Sequence, residues 1–233
     1  GHIELARPVY HPGFIKRVKK LLEIVCHNCS KVLADRNDPE FAAAMKIRDP
    51  KVRFQRVWAV CKKKKRCEQD TTKKEDEFDP TPDAEKGLVH SHGGCGNDHP
   101  TVRQQALSLF AQVETKSEDG VKNKDKVPIT PEMALNILKR MSEEDMIDIG
   151  VNISQARPEW MIVTVLPVPP PPVRPSISMD GTGTGMRNED DLTYKLGDII
   201  RANGNVRQAI SEGSPAHIIT DFENLLQYHV ATY

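Results

Sequence analysis

Cys26 and Cys29, three positions apart in "IVCHNCSK", are the residues whose spacing points most directly to chemistry, in a chain with five cysteines. A Cys-x-x-Cys pair on a tight turn supplies half of a tetrahedral zinc site, and the other two ligands must come from elsewhere in the chain. A redox dithiol is the second reading, but that pair follows a strand and opens a helix. Here the pair follows a helical pattern, in which Phe14, Ile15, Val18, Leu21 and Leu22 share a face opposite Lys16, Arg17, Lys19 and Lys20. Simple packing of two small apolar side chains is the third reading.

The remaining cysteines differ in context. Cys61 lies on the apolar face of a predicted helix with Phe54, Val57 and Trp58, which suits packing. Cys67 comes after the cationic run "KKKKR", where the helix has ended and the chain can bend. Cys95 sits in "GGCGN", whose glycines permit the tight turn of a metal knuckle. The expected zinc ligands are therefore Cys26, Cys29, Cys67 and Cys95. In the plainer alternative Cys67 and Cys95 are free thiols. His90, His92 or His99 could replace one distal cysteine, but as loop histidines they read more simply as solvated.

The elements that must position these residues follow from local signals. Residues 2–10 read as a strand ended by Pro12. Asp38-Pro39 and Asp49-Pro50 each pair an N-cap with a first-turn proline and predict helices, the first running to Met45. Residues 62–100 are charged and poor in apolar side chains, and predict a long polar loop. Residues 101–114 favour strand over helix, and 115–127 read as a second polar loop. Thr130-Pro131 opens a helix with Ala134, Leu135, Leu138 and Met141 on one face, and Ser142 caps a shorter one through Ile149. "MIVTVLPV", residues 161–168, predicts a buried strand, followed by an extended path over prolines 167, 169, 170, 171 and 172. Two C-terminal helices are expected, one aligning Leu192, Leu196, Ile199 and Ile200, the other Ile218, Phe222, Leu225, Leu226 and His229. The fold class is α+β, mostly helical. The expected division is a zinc-binding lobe over 1–100, including polar loop 62–100, and a core over 101–233.

Composition narrows the function classes. The chain has 233 residues, enough for one large domain or two small ones, and 38% hydrophobic residues, enough for a core. Lys+Arg and Asp+Glu both number 33, so attraction for nucleic acid must come from local patches such as 16–20 and 62–66. No apolar run is long enough to span a membrane, so no membrane partner is expected. The cysteine pattern lacks the density of a secreted disulfide scaffold, which predicts a reducing compartment and chance sequons at Asn28 and Asn152. The acidic residues after "KKKKR" compete with phosphate, and cations there also suit a helix end. "GTGTG" at 181–185 has the composition of a phosphate loop but no Lys-Ser or Lys-Thr after it. No catalytic constellation stands out. Gly1 lies within a strand pattern and Tyr233 within a helix pattern, which predicts a piece of a longer protein.

One long segment carries a resemblance. "RPEWMIVTVLPVPPPPVRPSI", with "GHIELARPVYHPGF", "CHNC", "GGCGN", "DDLTYKL" and "LLQYHVATY" in the same order, resembles the largest subunit of multisubunit DNA-dependent RNA polymerases, the RNA polymerase II form more than the other nuclear enzymes. The resemblance covers the chain. It implies a clamp, a mobile zinc-containing lobe that closes over DNA, with its second zinc on Cys26, Cys29, Cys67 and Cys95. The family's other clamp zinc uses a Cys-Pro-Gly-His pattern upstream of Gly1, and His2 is not one of its ligands. The family's "NADFDGD" loop, which holds the Mg2+ for two-metal nucleotidyl transfer, is absent from this sequence, as are the later clamp-base loops and the heptad tail. The implied nucleic-acid-binding residues are unknown. The implied partners are the other RNA polymerase II subunits, the DNA template, the RNA transcript, and initiation and elongation factors, all in the nucleus. Loops 68–92 and 179–189 are where divergence from relatives is expected. The competing class is a stand-alone zinc-binding adaptor without enzymatic activity.

Overall fold

The computed structural model describes residues 1–69, 93–116, 122–181, 183 and 185–233. In chain order the elements are β1 (His2–Tyr10), α1 (Ile15–Ile24), α2 (Pro39–Met45), α3 (Pro50–Cys61), β2 (Thr101–Gln105), β3 (Ser108–Lys116) and β4 (Lys122–Ile129). There follow α4 (Pro131–Lys139), α5 (Glu143–Asp148), β5 (Ile162–Pro167), β6 (Ile177–Ser178), β7 (Arg187–Asn188), α6 (Asp191–Ser211) and α7 (Ala216–Ala231). Helix and strand are both present and helix predominates, consistent with α+β. Contacts group residues 16–160 into one compact unit and residues 1–15 with 161–233 into another. The division expected at residue 100 thus falls inside the first unit.

In the unit of residues 16–160 the caps form as their sequences require. Asp38 and Asp49 accept from the N–H groups two and three residues on, and each is followed by a proline that has no N–H to lose. Thr130 and Ser142 cap α4 and α5 by accepting from the N–H three residues on, of Met133 and Asp145 respectively. The core gathers Val18, Leu21, Leu22 and Ile24 of α1, Phe54 and Val57 of α3, Leu138 of α4 and Met146 of α5. Of the polar loop expected over 115–127, residues 115–116 and 122–127 are instead strand, and 117–121 lie outside the described residues. β4 pairs antiparallel with β3, from Leu109 opposite Ile129 to Lys116 opposite Lys122, and the sheet order is β2-β3-β4. Its alternation of Lys, Asn and Asp hid it, but charged side chains suit an edge strand whose pairing energy comes from the backbone.

α5 stops at Gly150, whose φ of +84° is left-handed backbone. Its N–H donates to Ile147 O and that of Val151 to Met146 O, closing the helix end. A Cβ at this position would lie 2.6 Å from the carbonyl oxygen of Pro50, so glycine is needed for space as well as for conformation.

In the other unit, β1 and β5 form an antiparallel pair with a bulge between Glu4 and Val9. Val9 and Leu166 pack on Ile199, Ala202 and Val206 of α6 and on Leu226 and Val230 of α7. Two buried amides bond to β1 backbone groups. Asn203 accepts from the Ala6 N–H at 2.7 Å and donates to Glu4 O at 2.9 Å; Gln227 accepts from the Tyr10 N–H at 2.6 Å and donates to Tyr10 O at 2.8 Å. β5 differs from the expected buried strand: Ile162 and Leu166 are buried, while Val165 is 48% exposed, because β5 has β1 as its sole sheet partner. The proline run is not wholly extended, since Pro171–Val173 makes a 3-10 turn. Ile200 and Leu225, expected on buried faces, are 57% and 43% exposed, and Asn203 and Gln227 are buried instead. Among the described residues no helix is long and apolar enough to cross a membrane.

Gly150→Ala is expected to destabilise the fold by about 1–3 kcal/mol, since it adds left-handed strain to a backbone clash, and a denaturant midpoint reads it directly. Gln227→Ala is expected to cost about 1–3 kcal/mol because it strands two β1 backbone groups. Gln227→Glu should cost at least as much, since it buries a carboxylate against the Tyr10 carbonyl oxygen.

Candidate metal centre

Two short pairings build the centre. After α1 the chain turns back on itself: Val25 bridges Val32, the Cys26 N–H donates to Lys31 O at 2.8 Å, and the Ser30 N–H donates to Cys26 O at 3.0 Å. Ser30 takes a φ of +62° to close this knuckle. On the far side, Arg66 bridges Asp98, the Cys67 N–H donates to Asn97 O at 2.9 Å, and the His99 N–H donates to Lys65 O at 2.7 Å. Gly96 turns with a φ of +72°, which brings Cys95 back beside Cys67.

The four sulfurs of Cys26, Cys29, Cys67 and Cys95 lie within 4.8 Å of one another. Cys26 Sγ is 3.6 Å from Cys95 Sγ, and Cys29 Sγ is 3.7 Å from Cys67 Sγ. A disulfide needs about 2.05 Å, so these are separate thiols. Four sulfurs about 2.3 Å from a central zinc would be about 3.8 Å apart along each tetrahedral edge. The donor set therefore suits a soft or borderline ion, and the spacing leaves room for one at the middle. Cys26 and Cys67 are buried; Cys29 and Cys95 are half-buried.

Backbone donors surround the sulfurs. Cys26 Sγ accepts from the N–H groups of Cys29 and Asn28, and Cys67 Sγ from that of Cys95. Burial pushes the Cys26 and Cys67 thiols up despite these bonds. Burial works the same way on Cys95, but the N–H of Asn97 and the side-chain amide of Asn28 outweigh it and bring that thiol down to about 6. Binding a metal to such a set must release protons, because the ligands are thiolates.

Cys61 is elsewhere. It is fully buried on α3 and burial pushes its thiol up to about 12, as suits a packing residue. His90 and His92 lie outside the described residues. His99 is not a solvated loop residue: it packs edge-on against His27, with ring centroids 4.8 Å apart, and burial pushes it down to about 3. His27 Nε2 lies 3.0 Å from Leu22 O, tying the knuckle to the end of α1. Both histidines flank the cysteines in sequence, but their stacking depends on the far pairing and could not be read from spacing.

The two cationic runs meet around Trp58. Lys20 Nζ and Lys62 Nζ each lie 4.6 Å from the Trp58 ring centroid, and the indole N–H donates to Glu23 at 2.7 Å. The "KKKKR" run is more engaged than a solvated helix end: Lys63 pairs with Glu40, Lys64 with Asp38 and Glu68, and Arg66 with Asp98. The Lys63–Glu40 and Arg66–Asp98 pairs are exposed and contribute little to stability, whereas Lys64 and Asp38 are largely covered; together the pairs offset much of the run's positive field. "GTGTG" lies partly outside the described residues, at 182 and 184.

A family model described as RNA polymerase Rpb1, domain 1, matches residues 1–233. The segment that resembles polymerases is thus part of a match running the full length of the sequence. The chain belongs to the Rpb1 family, that of the largest subunit of DNA-directed RNA polymerase.

Proposed function

We propose that this chain serves as the zinc-stapled clamp region of the largest subunit of RNA polymerase II, in the nucleus, where it helps to hold DNA in the cleft. The observation that carries the metal half is the convergence of the sulfurs of Cys26, Cys29, Cys67 and Cys95 to within 4.8 Å of one another. The full-length family match supports the polymerase half and does not favour a stand-alone adaptor. Zn2+ fits four thiolates, and its role here is structural: with all four positions taken by sulfur it has no open site for substrate. The chain's own residues do the rest. The Val25–Val32 and Arg66–Asp98 bridges set the two cysteine pairs, and the N–H groups of Asn28, Cys29, Cys95 and Asn97 offset the sulfur charge.

RNA synthesis belongs to the assembled enzyme. Its Mg2+ ligands are outside this sequence, which carries no "NADFDGD" loop. The contribution of this region is retention of template and transcript, with surfaces for the other polymerase subunits and for initiation and elongation factors. The cationic surface around Trp58 is the best-supported contact for DNA phosphates, because two basic runs far apart in sequence come together there.

Metal analysis of serine variants tests the centre. Cys26→Ser, Cys29→Ser, Cys67→Ser and Cys95→Ser should each lose the ion or bind it far more weakly, and Cys61→Ser should keep it. Metal retained by Cys67→Ser and lost by Cys61→Ser would overturn the assignment. For the DNA contact, replacing Lys20, Lys62 and Lys65 together by Ala should weaken duplex binding by the polymerase. It should also lower the slope of log affinity against log salt by roughly 1 for each phosphate contact removed. An unchanged slope removes this surface from the DNA path.

A further inference from the structure

α2 and α3 run antiparallel on either side of the turn at residues 46–49, with Glu40 at the start of one paired at 3.4 Å to Lys63 beyond the end of the other. Between them lies an open trough of about 350 Å³. Ala43, Ala44 and Ile47 line one side and Arg56, Ala59 and Val60 the other. With Glu40 and Lys63 at their ends, both sets follow the i, i+3, i+4, i+7 spacing of a single helical face. Ala44 and Val60 are buried, whereas Ala43 and Ala59 are exposed. Small side chains at these positions let the backbone of another chain come close.

The two ends of the trough differ in charge. At one, Glu40 and Lys63 satisfy each other. At the other, Arg56 lines the trough, and Lys46 and Arg48 are exposed on either side of Ile47 in sequence. Among the described residues none of these three cations has an ion pair. Asp49, the carboxylate of the turn, is occupied with the N–H groups of Lys51 and Val52. The cationic end is held in place, because Arg53 donates to Ile47 O at 3.3 Å and to Ile147 O at 3.2 Å. This lining selects the class of occupant. No aromatic ring lines the trough for a base to stack on, and its middle offers no polar side chain to a phosphate. An extended peptide would set its own N–H and C=O groups against helices whose backbone groups are already paired. A helix pairs its backbone internally and presents apolar side chains at the spacing of the trough.

We propose that the trough between α2 and α3 is a docking site for an amphipathic helix of a separate protein, apolar along one stripe and acidic at its N-terminal end. The apolar stripe lies over the alanines, and the acidic first turn meets Arg56, Lys46 and Arg48. Acidic residues also suit the first turn of the incoming helix itself. The site uses a different face of α3 from Trp58 and Lys62, and it depends on neither the metal centre nor the DNA contact.

The test uses the polymerase that contains this chain and two fluorescein-labelled peptides of about 18 residues, long enough to be helical. Both carry leucines at i, i+3, i+4 and i+7; one has glutamates in its first turn, the other lysines. Fluorescence anisotropy should show binding of the glutamate peptide. Ala59→Lys, which fills the trough, and Arg56→Glu, which reverses its charge, should each weaken that binding by about 10-fold or more, as loss of a central contact does. The lysine peptide should bind the Arg56→Glu polymerase more tightly than the wild type. Both substituted positions are exposed, so the thermal midpoint should not move. The Lys20, Lys62 and Lys65 triple variant should bind the glutamate peptide within about twofold of wild type, since separate sites act independently. No binding of the glutamate peptide to wild type, or affinities within about twofold for Ala59→Lys and Arg56→Glu, would overturn the inference. Displacement of the bound peptide by duplex DNA would overturn it too, by making the trough a nucleic-acid surface.

Discussion

Four sulfur atoms from separate stretches of chain lie within 4.8 Å of one another in the unit of residues 16–160, and that convergence is the constraint its local turns must satisfy. Two come from one turn at the end of α1, and two from a pairing in which residues 65–67 lie against 97–99. The first pairing closes a short turn, but the second closes a long connection with a few backbone bonds, which do not by themselves offset its closure entropy. A shared ion bound by all four would supply what is missing, because metal binding free energy becomes folding free energy when ligands lie on separate segments. The His27–His99 contact and the hydrogen bond of His27 to Leu22 carry that order back to the helix.

The other unit solves a different problem. β1 has one strand partner, β5, and a bulge interrupts their pairing. Polar backbone groups of Glu4, Ala6 and Tyr10 face the helices. Asn203 of α6 and Gln227 of α7 take them up, each as donor and acceptor at once. An amide side chain suits this task because it presents both functions in one plane. The helices thereby determine where β1 lies as well as covering it, and the apolar contacts of Val9 and Leu166 follow from that placement.

Charge in this protein is mostly local. With equal numbers of acidic and basic residues, no net field draws nucleic acid from a distance. Tertiary structure concentrates what positive character there is: α1 and the end of α3 bring Lys20 and Lys62 to one indole, each 4.6 Å from the centroid of the Trp58 ring. Glu23, 6% exposed, accepts from the indole N–H and pairs with Lys19. An anion meeting this surface would be held by a few aimed cations rather than by bulk attraction.

Much of this was legible in the sequence, for reasons that are local. Asp-Pro, Thr-Pro and Ser at helix starts act through bonds two or three residues long, so α2, α3, α4 and α5 begin where their caps stand. The contrast between Cys61 on an apolar helix face and Cys95 among glycines separated packing from clustering before any coordinates. What tertiary structure alone decided lies at longer range. β4 is a strand because β3 offers it a partner, despite a sequence that reads as loop. Asn203 and Gln227 are buried because β1 needs them, against a helical apolar pattern that favoured Ile200 and Leu225. The sequence determined which residues could meet at the metal centre, since side-chain type and turn chemistry are local properties. Only the fold decided that they do, because bringing residue 95 back to residue 26 is a matter of chain path, and periodicity carries no information about that.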